Sequence, residues 1–262
     1  MIEVLNIKNG SIRYFKFGTG KKIMVMIPGL SIKSVMEQEN LVKDAYKVFN
    51  NEYTVYCFDR IDNPKSNYYI KDMADDLVEA INKLNLKGLY LFGTSQGGMI
   101  ALYIAINYPS IYKKIAVAST TANFEKYTKD IHNWIDLAKK GLKEELMLEF
   151  AKTIYTENIY NKFKDLCLDM AKDITDEELK KFIIIASGTD NFNVISDLYK
   201  IDKPIFLIGD KTDKLFGIEP IKEIIDHLKT NLYKSYIYNG YGHAPYDFAP
   251  DFKERLKEFF NE

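Results

Sequence analysis

The chain is poor in the residues on which several classes of protein depend. Of its 262 residues, two are cysteines and three are histidines. Two cysteines are too few for a disulfide framework or a cysteine-rich metal centre, so we predict neither a metal site nor a cofactor. The formal net charge is −1 at pH 7. This value argues against the strongly basic surface that nucleic-acid binding requires.

Long hydrophobic runs are missing as well. No window approaches the roughly 18 consecutive apolar residues of a membrane span, and the start of the chain lacks the basic and apolar stretches of a secretory signal. We therefore expect no membrane segment and a cytoplasmic location. The hydrophobic fraction of 47% is ordinary for a globular chain, and the length suits one large domain with or without an insertion.

Short apolar runs alternate with helical patterns along most of the chain. The predicted strands are residues 4–7, 12–17, 23–27, 53–58, 88–92, 114–118, 203–208 and 233–238. The predicted helices are residues 31–50, 70–84, 96–107 and 252–260. An Asn-Gly turn joins the first two strands as a hairpin, and runs such as IMVMI at 23–27 lack the alternation of half-exposed strands. We therefore predict an α/β fold with a mostly parallel open sheet flanked by helices.

One stretch interrupts this alternation. Between residues 123 and 199 the sequence is charged, and apolar residues such as Trp134, Leu137 and Phe150 recur at helical spacing. Only residues 182–186 resemble a strand there. A structureless loop of this length would be unusual. We therefore predict a core formed by residues 1–122 and 200–262, with a helical insertion at 123–199.

A Gly-x-Ser-x-Gly motif centred on Ser95 lies between a predicted strand and a predicted helix. This is the pattern of a nucleophile elbow, a sharp turn that exposes a serine hydroxyl above the edge of the sheet. Gly93 and Gly97 leave room for neighbouring segments to approach. A dinucleotide-binding loop would need glycine where Ser95 stands, and a Walker loop would need Gly-Lys-Ser/Thr. A chance turn is the weaker alternative.

A serine hydroxyl needs a base before it can act as a nucleophile. His132 and His227 lie on helical stretches, and we interpret both as structural. His243 instead follows the last predicted strand in a glycine-rich loop. Open α/β sheets place their ligand chemistry in such loops. We therefore predict that His243 is the base.

The histidine in turn needs a carboxylate that fixes its tautomer and stabilises its protonated form. Asp210 and Asp213 both follow the strand at 203–208. We favour Asp213 because it lies further into the loop, whereas Asp210 is suited to capping the turn through its side chain. The choice between the two acids stays open at this stage.

Two backbone N–H groups are expected to form an oxyanion hole. One belongs to Gln96, directly after the serine. The other is expected in the loop after strand 23–27, where we favour Leu30 and keep Gly29 as the next choice. The alternative interpretation is that Pro28 and Gly29 only mark a turn.

Assembled in this way, the chain resembles the α/β-hydrolase superfamily along nearly its whole length. The motifs that carry the resemblance are the elbow at 93–98, the acid loop at 209–213 with one extra residue, the histidine loop at 242–243 and the oxyanion loop at 28–30. The order Ser95, Asp213, His243 is the order of that superfamily. Residues 59–66 resemble a further family loop but lack its glycines. The insertion at 123–199 resembles the helical cap of many members.

The resemblance implies a serine hydrolase that cleaves small carboxylic esters through an acyl-enzyme, as a monomer or a homodimer. Serine at position 95 disfavours the haloalkane dehalogenases, which use aspartate there. Thioesterases, amidases and carbon–carbon-bond hydrolases share the serine triad, and some relatives are small-molecule receptors. These functions stay as alternatives, because a fold does not specify a substrate.

Overall fold

One mixed sheet organises the part of the chain that the computed structural model describes, residues 1–229 and 231–262. Within these residues it has eight strands: β1 (Ile2–Ile7), β2 (Gly10–Phe17), β3 (Lys22–Ile27), β4 (Tyr53–Phe58), β5 (Leu89–Thr94), β6 (Tyr112–Ala118), β7 (Ile205–Asp210) and β8 (Tyr233–Tyr238). Their spatial order is β1-β2-β4-β3-β5-β6-β7-β8. β1 and β2 form the predicted hairpin, and β2 also runs antiparallel to β4.

The remaining pairs are parallel, so the carboxyl ends of β3 to β8 lie at one edge of the sheet. All six residues of β7 are buried, as expected for a strand that helices cover on both faces. β5 lies between β3 and β6, which places the residue after it near the middle of that edge. The predicted fold class, a mostly parallel sheet flanked by helices, is confirmed.

Helices cover both faces of the sheet. In the described residues they are α1 (Glu39–Ala45), α2 (Ile70–Lys83), α3 (Gln96–Asn107), α4 (Thr128–Lys139), α5 (Lys143–Ile154), α6 (Glu157–Lys172), α7 (Asp176–Ser187), α8 (Glu219–His227), α9 (Pro245–Phe248) and α10 (Phe252–Asn261). The larger hydrophobic cluster packs α2 and α3 against one face. The second cluster packs Phe252, Leu256 and Phe260 of α10 against the other.

The helices α4 to α7, which we call the inserted helices, occupy the chain between β6 and β7. Their apolar side chains continue the larger hydrophobic cluster, and within it the buried ring of Trp134 lies 4.6 Å from the ring of Phe150. A β-bridge between Asn123 and Asn193 joins the two ends of the segment. The segment between β6 and β7 therefore begins and ends close together in space.

Two local predictions were wrong. The segment 31–50 is not one helix: Ser34 accepts a hydrogen bond from the backbone N–H of Met36 and starts a 3₁₀ turn, and α1 then covers only seven residues. α1 buries no side chain, so packing does not favour a longer regular helix here.

Residues 182–186 belong to α7 and not to a strand. A reciprocal cap between Thr175 and Glu178 starts that helix.

Candidate active site

The turn between β5 and α3 holds Ser95 in a strained backbone conformation, with φ at 51° and ψ at −122°. Residues with a side chain rarely adopt a positive φ, and such strain is concentrated at functional sites. A Cβ on Gly93 would lie 2.3 Å from the carbonyl oxygen of Gly97. A Cβ on Gly97 would lie 2.0 Å from the carbonyl oxygen of Ile27. Only glycine fits at either position, so the motif is a steric requirement of this turn.

His243 reaches this serine from the loop after β8. Its Nε2 lies 2.9 Å from Oγ of Ser95. The loop is held against the inserted helices, because the backbone N–H of His243 donates to the carbonyl oxygen of Ile154 at 2.8 Å. The imidazole is fully buried. The structure thus brings together two residues that lie 148 positions apart in the sequence.

Asp213 supplies the carboxylate beside His243. Its Oδ2 lies 2.9 Å from Nδ1 of the imidazole, and its Oδ1 accepts hydrogen bonds from the backbone N–H groups of Leu215 and Phe216. A carboxylate can only accept, so Nδ1 carries the proton and Nε2 is left free to accept from the Ser95 hydroxyl.

Asp210, the other acidic candidate, does not contact the imidazole. Its carboxylate accepts from the backbone N–H groups of Thr212, Gly240 and Tyr241 at 2.6, 3.2 and 2.9 Å. It therefore ties the loop after β7 to the loop after β8. The two acids of one loop have different surroundings, and only Asp213 is placed to orient His243.

The backbone N–H groups of Leu30 and Gln96 have no hydrogen-bond acceptor among the described residues. Gln96 opens α3, whose N-terminus favours negative charge. Gly29, next to Leu30, lies so close to the elbow that a Cβ there would be 3.1 Å from the Cβ of Ser95. The two candidate donors thus flank the serine, as an oxyanion hole requires.

A cavity of about 400 Å³ opens onto Ser95 and His243. The sheet edge forms its floor, and the inserted helices form much of its wall. Its lining is mainly apolar and includes Met99, Trp134, Met147, Phe150, Phe163 and Phe216. Such a cavity suits a small organic molecule with few polar groups.

A buried hydrogen-bond network, which sequence reasoning missed, holds the loop at residues 28–30. Nη2 of Arg60 donates to the carbonyl oxygen of Pro28 at 2.7 Å and to Oε1 of Gln96 at 3.2 Å. Nε2 of Gln96 donates to the carbonyl oxygen of Ile185 in α7. The side chains of Arg60 and Gln96 therefore link the elbow, the loop at residues 28–30 and α7. Only the arginine at position 60, in the loop after β4, was available as a signal.

The other two histidines lie elsewhere. Nε2 of His132 lies 3.0 Å from a carboxylate oxygen of Asp190, and Nδ1 of His227 lies 2.8 Å from the carbonyl oxygen of Glu223. Within residues 1–229 and 231–262 no cluster of three histidine, cysteine or carboxylate groups is arranged for a metal ion. In the same residues, no helix is both long enough and apolar enough to cross a bilayer.

Comparison with known proteins agrees with this geometry. A family model described as the alpha/beta hydrolase fold matches residues 22–250. The chain belongs to the α/β hydrolase fold family. Its elbow, its oxyanion loop and its histidine loop all fall within the matched region.

Individual relatives of this α/β hydrolase are distant in sequence. A Haemophilus influenzae protein, whose name assigns it provisionally as an esterase/lipase, is 25% identical over 82% of this chain and 77% of its own length. The 3-oxoadipate enol-lactonase 2 of Acinetobacter baylyi is 19% identical over 86% of this chain and 85% of its own.

Solved structures share the fold over the whole length. MGS-M2, an alpha/beta hydrolase enzyme from a Medee basin deep-sea metagenome library, superposes with a TM-score of 0.87 at 22% identity over 99% of this chain and 98% of that one. The esterase EaEST from Exiguobacterium antarcticum gives 0.81 at 19% identity, with both chains fully covered.

Proposed function

We propose that this α/β hydrolase is a serine hydrolase that cleaves small carboxylic esters through an acyl-enzyme intermediate. The observation that carries the proposal is the unbroken contact from Asp213 through His243 to Ser95, with both contacts at 2.9 Å, at the floor of an apolar cavity. A hydroxyl paired with an oriented imidazole is the arrangement that acyl transfer needs.

In the proposed first step, His243 Nε2 takes the hydroxyl proton as Ser95 Oγ attacks the ester carbonyl. The carbonyl oxygen becomes an oxyanion, which the N–H groups of Leu30 and Gln96 stabilise; one such donor is worth about 3–4 kcal/mol. Asp213 stabilises the imidazolium that forms. His243 then gives its proton to the leaving alcohol, and the acyl-enzyme remains.

In the second step, water enters and His243 acts again as a base. The hydroxide equivalent attacks the acyl carbon, and the proton returns to Ser95 as the carboxylic acid leaves. The inserted helices act as a cap in this proposal. They close the cavity over the ester and keep bulk water away from the acyl-enzyme.

The ester class is supported by the cavity and by the relatives. The apolar lining matches a short acyl chain and a small alcohol better than a charged phosphate or a peptide. An esterase and an enol-lactonase are among the matching proteins. The test is turnover of p-nitrophenyl butyrate, with an initial burst of one p-nitrophenol per chain when deacylation limits the rate.

The decisive variant is Ser95→Ala, with Ser119→Ala as its matched control. Ser119, like Ser95, has a positive φ and directly follows a strand of the sheet; it is buried, and its hydroxyl has no hydrogen-bond partner among the described residues. We expect Ser95→Ala to abolish the burst and labelling by an organophosphonate, while Ser119→Ala keeps both. An alanine variant at position 95 that still turns over the ester at the parent rate contradicts the proposal.

A further inference from the structure

The cavity holds a carboxylate that the proposed mechanism does not use. Asp247 lies in α9, four residues after His243, and lines the same cavity as Ser95. Its side chain has an exposed surface. The surrounding protein nevertheless raises its pKa to about 6, mainly by displacing water. Asp247 therefore offers the cavity a carboxylate that keeps contact with solvent.

This carboxylate has no partner within the described residues. No hydrogen bond or ion pair reaches its oxygens, although isolated charges are costly in apolar surroundings. Lys253 acts on it from α10, where the ammonium lies 5.6 Å from the ring centroid of Tyr46 and donates to the backbone carbonyl oxygen of Asp247 at 3.3 Å; this ammonium does not line the cavity. Lys33 does line the cavity, yet it is paired with Glu37 at 3.0 Å. The unpaired charge inside the cavity is therefore negative.

Aromatic rings surround this charge. Tyr46, Tyr155 and Tyr246 line the same cavity. Burial, and after it the negative charge of Asp247, raises the pKa of each of these phenols, so all three rings lie within the reach of that charge. Phe248, the next residue along the chain, stacks edge-on against Tyr155 with ring centroids 5.6 Å apart.

A carboxylate among aromatic rings is suited to a compact organic cation. The carboxylate attracts the positive charge directly, and the ring faces attract it through their quadrupoles. An ammonium group with methyl or methylene substituents also fits the apolar walls better than a strongly hydrated ion does. A neutral group of the same shape gains only the apolar contacts, and an anionic group is repelled.

We propose that Asp247 makes the cavity selective for esters that carry a compact ammonium group, which binds between this carboxylate and the rings of Tyr155 and Tyr246. The inference rests on the proposed esterase activity and specifies its substrate class. It assigns Asp247 to substrate recognition, whereas the bond-breaking steps stay with Ser95 and His243.

The test compares butyrylcholine with 3,3-dimethylbutyl butyrate, its neutral isostere, in which carbon replaces the ammonium nitrogen. The readout is the ratio of the two kcat/KM values, because a change in overall activity cancels in a ratio. We expect the parent protein to favour the cationic ester by about tenfold or more, and Asp247→Asn to lose about tenfold of that preference. Glu254→Gln, an exposed acid on α10 outside the cavity lining, is the matched control and keeps the parent ratio.

A parent ratio near one overturns the proposal without any variant, as does an Asp247→Asn ratio equal to that of the parent. If neither ester is hydrolysed, it is the proposed function that fails. Choline binding, followed by calorimetry, then tests the site alone. Binding that weakens about tenfold in Asp247→Asn supports the site, and no binding to the parent protein refutes it.

Discussion

Replacing Asp213 by asparagine is the sharpest test of the proposed triad, because the structure dictates which way the new amide must point. Oδ1 of Asp213 accepts from the N–H groups of Leu215 and Phe216 at 2.8 and 3.1 Å. If an NH₂ group stood there, two buried donors would lose their acceptor, at about 1–3 kcal/mol each. The amide oxygen therefore keeps that position, and the NH₂ group faces His243.

This orientation inverts the tautomer of the imidazole. Nδ1 must accept from the amide, so Nε2 carries the proton and cannot take one from Ser95. For a triad with this defect the expected loss in kcat is about 10⁴-fold, which corresponds to roughly 5.4 kcal/mol. The backbone bonds of the loop persist, so we expect the melting temperature to change little. The assay is the pre-steady-state burst with p-nitrophenyl butyrate.

Asp210→Asn is the matched control on the same loop. In this variant an NH₂ group replaces one carboxylate oxygen of Asp210 and faces a backbone N–H that has lost its acceptor. We expect this to lower the free energy of unfolding by about 1–3 kcal/mol and the melting temperature by several degrees. Its kcat is expected to stay within about tenfold of the parent value, since the imidazole keeps its partner. The reasoning is refuted if Asp213→Asn retains a tenth of the activity, or if Asp210→Asn shows the larger loss in kcat.

Two further predictions concern the elbow and the cavity. Gly97→Ala would place a Cβ 2.0 Å from the carbonyl oxygen of Ile27. We expect this clash to lower the free energy of unfolding by about 1–3 kcal/mol and, by shifting the loop at residues 28–30, to lower kcat about 10²-fold; both losses should exceed those of Gly29→Ala. A Gly97→Ala variant with the parent's melting temperature and kcat would contradict this prediction. The preference for butyrylcholine over its neutral isostere should fall as the pH drops through about 6, because Asp247, with its pKa raised to about 6, becomes neutral. No other titratable group near Asp247 should change this ratio. His243 must be neutral for the hydrolysis of both esters, so its titration cancels in the ratio. Lys253 keeps its proton as the pH falls, and the buried phenols of Tyr46, Tyr155 and Tyr246 stay uncharged. A preference that is constant between pH 5 and pH 8 would exclude Asp247 as its source.

The sheet could be predicted from the sequence because its strands are encoded locally. Uninterrupted apolar runs such as residues 23–27 report burial on both faces, and this run became the parallel strand β3, whereas the Asn-Gly turn located the hairpin of β1 and β2. The elbow was equally local, since its glycines and serine lie within five residues. The triad and the oxyanion hole also followed from sequence as predictions, since loops at the carboxyl ends of parallel strands meet at one edge of the sheet.

What the sequence could not provide depends on contacts between distant segments. The interrupted helix at 31–50 and the continuous α7 reflect capping and packing that a single-sequence pattern does not report. The bridge from Arg60 through Gln96 to α7 joins three segments with no shared motif. No motif in the sequence singles out Asp247. Its proposed role in substrate recognition rests on its position in the cavity lining and on its lack of a hydrogen-bond or ion-pair partner among the described residues.

The hydrogen bond from the His243 backbone to Ile154, together with that from the Gln96 side chain to Ile185, has a consequence for engineering. The four-helix segment cannot be exchanged as a free module in order to recruit new substrates. Any graft must present two carbonyl oxygens at these same points in space, or His243 and Gln96 lose a hydrogen-bond partner outside the sheet. We therefore expect libraries that vary side chains inside the existing helices to preserve the geometry around Ser95 better than replacement of the whole segment.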